Sequence, residues 1–185
     1  MTTALKEWDF LISALLQGRQ ALLLRKGGIL ESENQFELEH PRFLFYPTFI
    51  HQDPLHLKPE LRQNLPHERT EPEKITLRGH AEVAEILEVP SRAQLEQLDD
   101  LHIWSPAMLD MRFNYRPEKP LYLVIVRAFT LPKPIEIQNK MEYVGCKSWV
   151  TLSEQIDLAN SAPAMTDDAL TKLTERVRDT FRNSA

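Results

Sequence analysis

Apolar positions along the chain follow two distinct periods, and together they predict a mixed α and β fold. The stretch that organises the rest is Leu121–Leu131, LYLVIVRAFTL, interrupted by Arg127 and closed by Pro120 and Pro132. A short run rich in Val and Ile between prolines suits a strand buried on both faces. Such a strand needs neighbours on each side. Leu5, Trp8, Leu11, Ile12, Leu15 and Leu16 form one stripe at helical spacing, so Thr3–Gln17 is predicted as a helix ended by Gly18. Gln20–Lys26 is predicted as a short strand, with Gly27-Gly28 as a turn. Gln35–Leu38 and Phe43–Tyr46 are the next two strands, the second ended or placed at an edge by Pro47.

From Asp53 to Lys74 the pattern dissolves: Pro54, Pro59, Pro66 and Pro72 alternate with charges. This predicts a long surface excursion with a turn of helix near Glu60–Asn64. A strand bent near Gly79 is expected over Thr76–Val89. Ser91 followed by Gln94 is a capping-box pattern and opens a helix carrying Leu95, Leu98 and Leu101. Ser105-Pro106 opens another, through Phe113. After the central strand, Ile135–Ile137 and Lys147–Leu152 are expected as strands. Thr166 then caps a helix over Asp167–Arg182, with Leu170, Leu173, Val177 and Phe181 on one stripe. No repeat or low-complexity tract interrupts the chain.

Length and composition narrow this picture. At 185 residues, with 42% hydrophobic and 26% charged residues, the chain suits one soluble domain, residues 1–185. Within it lie a core over 1–152, the excursion at 53–74 and a helical extension over 153–185. No apolar run approaches a membrane helix, and the N-terminus has no secretion-signal pattern. One cysteine, Cys146, excludes an internal disulfide and suits a cytoplasmic location. Six acids from Glu82 to Asp100 against Arg92 carry the whole net charge of −5. Arg112, Arg116, Lys119, Arg127 and Lys133 against Glu118 make the surroundings of the central strand basic. Acidic and basic surfaces are thus separate.

Candidate chemistry follows from a few polar groups. His51 and His56, with Asp53 between them, are five apart, but no second cluster has zinc-site spacing, so no metal and no cofactor are expected. Arg25-Lys26-Gly27-Gly28 places cations beside flexible backbone without the spacing of a P-loop. Glu71-Pro72-Glu73-Lys74 has residue types that hold magnesium, yet it lies in the proline-rich excursion. Arg127, inside an apolar strand, needs a carboxylate, a carbonyl or solvent. Tyr143, Cys146, Lys147, Ser148 and Trp149 gather donors, a cation and an aromatic face, and Trp104 near Arg112 repeats the combination. That chemistry suits a flat anionic ligand such as a nucleotide. Core packing is the competing account of each tryptophan.

Three stretches carry a family resemblance. RKGGI at Arg25–Ile29, HPRFLFYPTFIHQ at His40–Gln52 and YVGCKSWVTL at Tyr143–Leu152 resemble a bacterial domain-of-unknown-function family, over about Ala4–Leu152. Some members of that family occur beside restriction-endonuclease-like domains, which implies a link to restriction–modification systems. The order of a strand with an early glycine, a helix and a basic-ended strand is similar to PUA-like barrels such as ASCH and EVE domains, which bind RNA or modified bases. The fold implied is α+β: a small, partly open β-barrel or strongly curved mixed sheet with N-terminal and C-terminal helices packed on it.

Three functions remain open at this level. The first is a non-enzymatic nucleic-acid or nucleotide binding domain. Its candidate residues are Arg25, Lys26, His40, His51, Gln52, Trp104, Arg112, Arg127, Tyr143, Cys146, Lys147, Ser148 and Trp149. The second is an enzyme with His40, His51 and Cys146 in one pocket. The third is a structural or interaction domain that docks through its acidic Glu82–Asp100 segment. The three motifs are expected to converge on one sheet rim.

Overall fold

The computed structural model describes residues 1–26, 40–50, 52–65, 70–145 and 147–182. In chain order it contains β1 (Thr3–Trp8), α1 (Asp9–Leu16), β2 (Leu22–Arg25), β3 (Arg42–Thr48) and β4 (Lys74–Glu88). There follow α2 (Arg92–Glu96), α3 (Pro106–Asn114), β5 (Tyr122–Gln138), β6 (Trp149–Thr151), β7 (Ala162–Pro163) and α4 (Asp167–Arg182). The strand expected at Gln35–Leu38 lies outside the described residues. Two short 3-10 helices, Pro54–His56 and Pro59–Asn64, structure the excursion, which Leu57 anchors in the core.

The seven strands form one sheet in the order β2-β5-β4-β3-β1-β6, with β7 also on β5. Among the described residues, only β1 and β3 run parallel; the other pairings are antiparallel. No ladder closes the sheet into a barrel among the described residues, but the sheet curls strongly. The Arg25 guanidinium, at the end of β2, donates to the backbone oxygen of Lys6 in β1 at 3.2 Å. These strands are four places apart, which in a flat sheet would separate them by about 19 Å. A side chain spans that seam only because the sheet bends back on itself. The expected α+β class with a curved, partly open mixed sheet is therefore what the chain forms.

Three elements differ from expectation, each for a tertiary reason. The first half of Thr3–Gln17 is strand, not helix. Leu5 and Trp8, three apart, fit a helical stripe, but pairing with both β3 and β6 decides for the strand. The helix starts only at Asp9. Pro47 does not end β3, which continues to Thr48 opposite β1. Its ladder to β4 stops at Leu44, so Pro47 sits where the strand has one neighbour and its missing N–H is tolerated. Finally, Pro132 does not end the central strand. β5 absorbs both Pro132 and Pro134 in residues 131–134, which face only Arg78 between the paired Leu77 and Gly79. Ile135–Ile137 then resumes pairing as part of the same strand.

Side chains alternate between two cores. Leu5, Phe43, Phe45, Ala81 and Leu123 face α1, α3 and α4. Ala4, Leu44, Tyr46, Ile75 and Leu77 face the other way, under Tyr143, Val150, Leu152 and Ile156. The caps read from the sequence are present: Ser91 Oγ accepts from Gln94 N, and Ser105 Oγ from Met108 N. α4 buries Leu170, Leu173 and Val177. Arg176 and Arg178 in this helix pair with Asp100 and Glu85. Two of the acids in the Glu82–Asp100 segment thus hold the chain's own last helix.

Candidate anion-binding site

The strand register at β1 puts a carboxylate in the interior. Leu5 faces the larger core, so Glu7, two residues on, faces the same side. It is 7% exposed. A buried carboxylate needs partners, and Glu7 has two. Its Oε1 accepts from the Arg25 guanidinium, and its Oε2 from the Trp8 backbone N–H at 3.3 Å. Arg25 is itself buried, and its Nε has no partner among the described residues.

A second guanidinium enters from α3. Arg112 lies within the last turn of that helix and is partly buried, with its Nε sealed from solvent. Its guanidinium makes no hydrogen bond or ion pair among the described residues. Burial pulls its pKa below the usual arginine value; Glu7 opposes that shift and Arg25 adds to it. Next to Arg25, the Lys26 ammonium donates to Phe113 O at 2.7 Å and Arg116 O at 3.2 Å. It thereby caps the C-terminus of α3 and ties β2 to the helix that carries Arg112. Three cations thus share this corner with one carboxylate, and one guanidinium fork is unspent.

Aromatic faces lie on the same elements. Trp8 stacks on His56, with ring centroids 5.6 Å apart and planes within 9°. The backbone of His56 accepts from Ser105 N at 3.0 Å, which fastens this stack to the start of α3. Tyr115, just past α3, is 50% exposed, with the Arg116 guanidinium 5.2 Å over its ring. Gln52 is buried and accepts from Phe10 N at 2.9 Å, which fixes the turn from β1 into α1.

The other residues singled out in the sequence fall around β1 or elsewhere. Lys6 N donates to Ser148 O at 2.8 Å, and Trp149 pairs with Leu5. The Trp149 indole meets Phe43 and His40 edge-on at 5.3 and 5.0 Å. Portions of all three motifs, through Arg25, Gln52 and Ser148-Trp149, therefore converge on Leu5–Phe10. Lys147 is exposed and donates to Glu142 O at 3.3 Å. Tyr143 is buried in the second core, its hydroxyl accepting from Ser153 N at 2.8 Å. Trp104 is buried against His102 and paired with Leu57. Arg127 is not brought to this corner; it pairs with Asp167 at the start of α4. His51 and Cys146 lie outside the described residues.

Sequence reasoning missed Glu7 and Tyr115, counted Trp8 only in an apolar stripe and weighed His56 only as a metal ligand. A signal for Glu7 was present: once Thr3–Trp8 is a strand, residues 5 and 7 must share a face. The helical reading leaves Glu7 off the apolar stripe instead.

A separate open cleft of about 350 Å³ is lined by Asp9, Pro47, Phe49, Pro72, Lys74, Thr76 and Arg78. Its cations are already matched. Arg78 binds Asp9 and Ser13, and Lys74 binds Glu136. Among the described residues, no group of three or more His, Cys, Asp or Glu is placed to hold a metal ion. None of the described helices is long and apolar enough to cross a membrane.

Comparison with known proteins adds the following. Among solved structures, the chain is similar to the ASCH protein of Zymomonas mobilis, with a TM-score of 0.47 and 11% identity over 94% of this chain and 93% of that one. A point variant of the same protein gives a TM-score of 0.46 and 11% identity over 94% of each chain. No curated protein matches the chain. A family model matches residues 4–176, nearly the whole length and all the elements described above except the end of α4, and by that match the chain belongs to the domain of unknown function family DUF1802.

Proposed function

We propose that this protein binds nucleotides or single-stranded nucleic acid without catalysing a reaction, with the Arg25–Arg112 corner as the phosphate-binding part. The observation that carries the reading is the unspent Arg112 guanidinium, held partly out of water within electrostatic reach of a second arginine and of the one carboxylate that pairs with it. Withdrawing a cation from water is costly unless an anion or hydrogen-bond acceptor replaces the lost hydration. A planar guanidinium fork matches the oxygens of a phosphate. The half-exposed Tyr115 and the Trp8–His56 stack provide flat surfaces on which a base can lie. Lys147, exposed near β6, would add a backbone contact rather than a specific one.

The test is fluorescence anisotropy with labelled single-stranded and duplex DNA and RNA, from low to moderate salt. Binding should weaken with salt, with a logarithmic slope of roughly −2 to −5 for three to five phosphate contacts. Arg112→Gln should lower affinity about tenfold and flatten that slope by about one unit. Lys147→Gln should flatten the slope alone. Tyr115→Ala should cost about 1–3 kcal/mol of binding if a base stacks there. Absence of binding at low salt, by protein shown to be folded, would overturn the proposal.

A further inference from the structure

We infer that the Arg25–Arg112 corner takes a phosphomonoester, the terminal phosphate of a nucleotide or of a nucleic-acid strand, in preference to an internal phosphodiester. This deepens the reading above and rests on it. Two independent features lead here.

The first is depth. Arg25 and Lys26 are each 9% exposed and Glu7 7%. Arg112 comes from the last turn of α3, the helix whose end Lys26 caps, with its Nε already sealed. An internal phosphodiester carries a sugar on each side, and both would have to follow it below the surface. A terminal phosphate is attached on one side only and enters alone.

The second is charge. Arg25, Lys26 and Arg112 against Glu7 leave a formal excess of two positive charges. A phosphomonoester, with a second pKa of about 6, carries close to two negative charges at neutral pH. An internal phosphodiester carries one. The number of acceptors agrees. The terminal group offers three oxygens, and the corner holds the unspent Arg112 fork and the unpartnered Arg25 Nε. Glu7 gives the arrangement its geometry, because it holds Arg25 in place without cancelling the whole charge.

The experiment compares single-stranded oligonucleotides of one sequence with a 5′-phosphate, a 3′-phosphate or neither, by anisotropy at fixed salt. Nucleoside monophosphate, the corresponding nucleoside and inorganic phosphate serve as competitors. One phosphorylated end should bind at least tenfold tighter than the unphosphorylated strand. That preference should grow as pH rises through about 6, where the phosphate gains its second charge. Arg112→Gln should abolish the preference, and Arg112→Lys, which keeps charge but loses the fork, should keep part of it. A melting curve for each variant confirms folding, and affinities are compared only among variants that are folded at the assay temperature. Equal affinity for phosphorylated and unphosphorylated strands would overturn this inference and leave nucleic-acid binding standing. Competition by inorganic phosphate as strong as by nucleoside monophosphate would overturn a nucleotide as the ligand. Failure of every probe to bind folded protein would overturn both readings.

Discussion

The side chain of Leu16 occupies the space where residue 79 would carry a Cβ. Gly79 is the bend of β4, and a methyl group there would also press on the Phe129 backbone oxygen. One of these obstacles is main chain of the neighbouring strand, so relaxation is limited. Gly79→Ala should therefore destabilise the protein by about 3 kcal/mol, at the upper end of ordinary overpacking. Urea unfolding followed by circular dichroism measures this, and an unchanged midpoint would mean that β4 and α1 separate easily.

The docking of α4 depends on its apolar stripe more than on its ion pairs. Leu173 is 8% exposed, whereas the carboxylate of Asp167, paired with Arg127, is largely in water. Leu173→Ala should cost about 2–4 kcal/mol. Asp167→Asn should cost less than about 1 kcal/mol. Equal effects in thermal melts would reverse the assignment of what holds the helix.

These two regions also show what the sequence could and could not reveal. α4 was legible because its information is local: Thr166 caps it, acids fill its first turn and four apolar residues share a face. The bend at Gly79 was legible because a strand bend accommodates an isolated glycine better than a helix does. β1 was not, since Leu5 and Trp8 are spaced as on a helix and its partners lie about 40 and 140 residues away. The continuation of β5 through Pro132 and Pro134 was hidden for a similar reason. Proline was read as a stop, yet an antiparallel pair tolerates it where the ladder is already interrupted. The candidate site inherits the first failure: Arg25 and Arg112 stood out as cations, but Glu7, the partner of Arg25, could not be placed while its strand was read as a helix.

Glu7 itself offers a third test. Glu7→Gln would leave both guanidiniums without a counter-charge inside the protein, at a cost of about 3 kcal/mol or more. The same substitution in an Arg112→Gln background should cost clearly less, because one of the two cations is gone. A double-mutant cycle from denaturant unfolding reads the difference directly. Strict additivity would show that Arg112 does not sense Glu7.

His102 makes stability depend on pH in a defined direction. It is 3% exposed, and burial, reinforced by nearby Lys58, pushes its pKa down to about 4. The unfolded chain titrates near 6.5. The folded value is the lower one, so this contribution is fully present above about pH 6.5 and is lost as pH falls toward 4. The loss across that window should approach about 3 kcal/mol. His102→Leu, which removes the titrating group, should flatten the stability profile between pH 6.5 and 4. An unchanged slope would assign acid sensitivity elsewhere, with His80, whose pKa burial also lowers, as the next candidate.

The placement of β1 between β3 and β6 has a kinetic consequence. Thr3 faces Thr151 across one ladder and Ala4 faces Leu44 across the other, so neither edge of this strand has a local partner. Each pairing must close a long loop before any hydrogen bond compensates the lost chain entropy. The β4–β5 pair and α3 lie closer together in sequence and nucleate at lower entropic cost. Topologies of this kind fold in milliseconds to seconds, not microseconds. Glu7 rides on the strand that locks late. The corner that holds Arg25 should therefore be assembled near the end of folding, and slow arrival of this corner would lengthen the time in which the chain carries exposed, aggregation-prone edges.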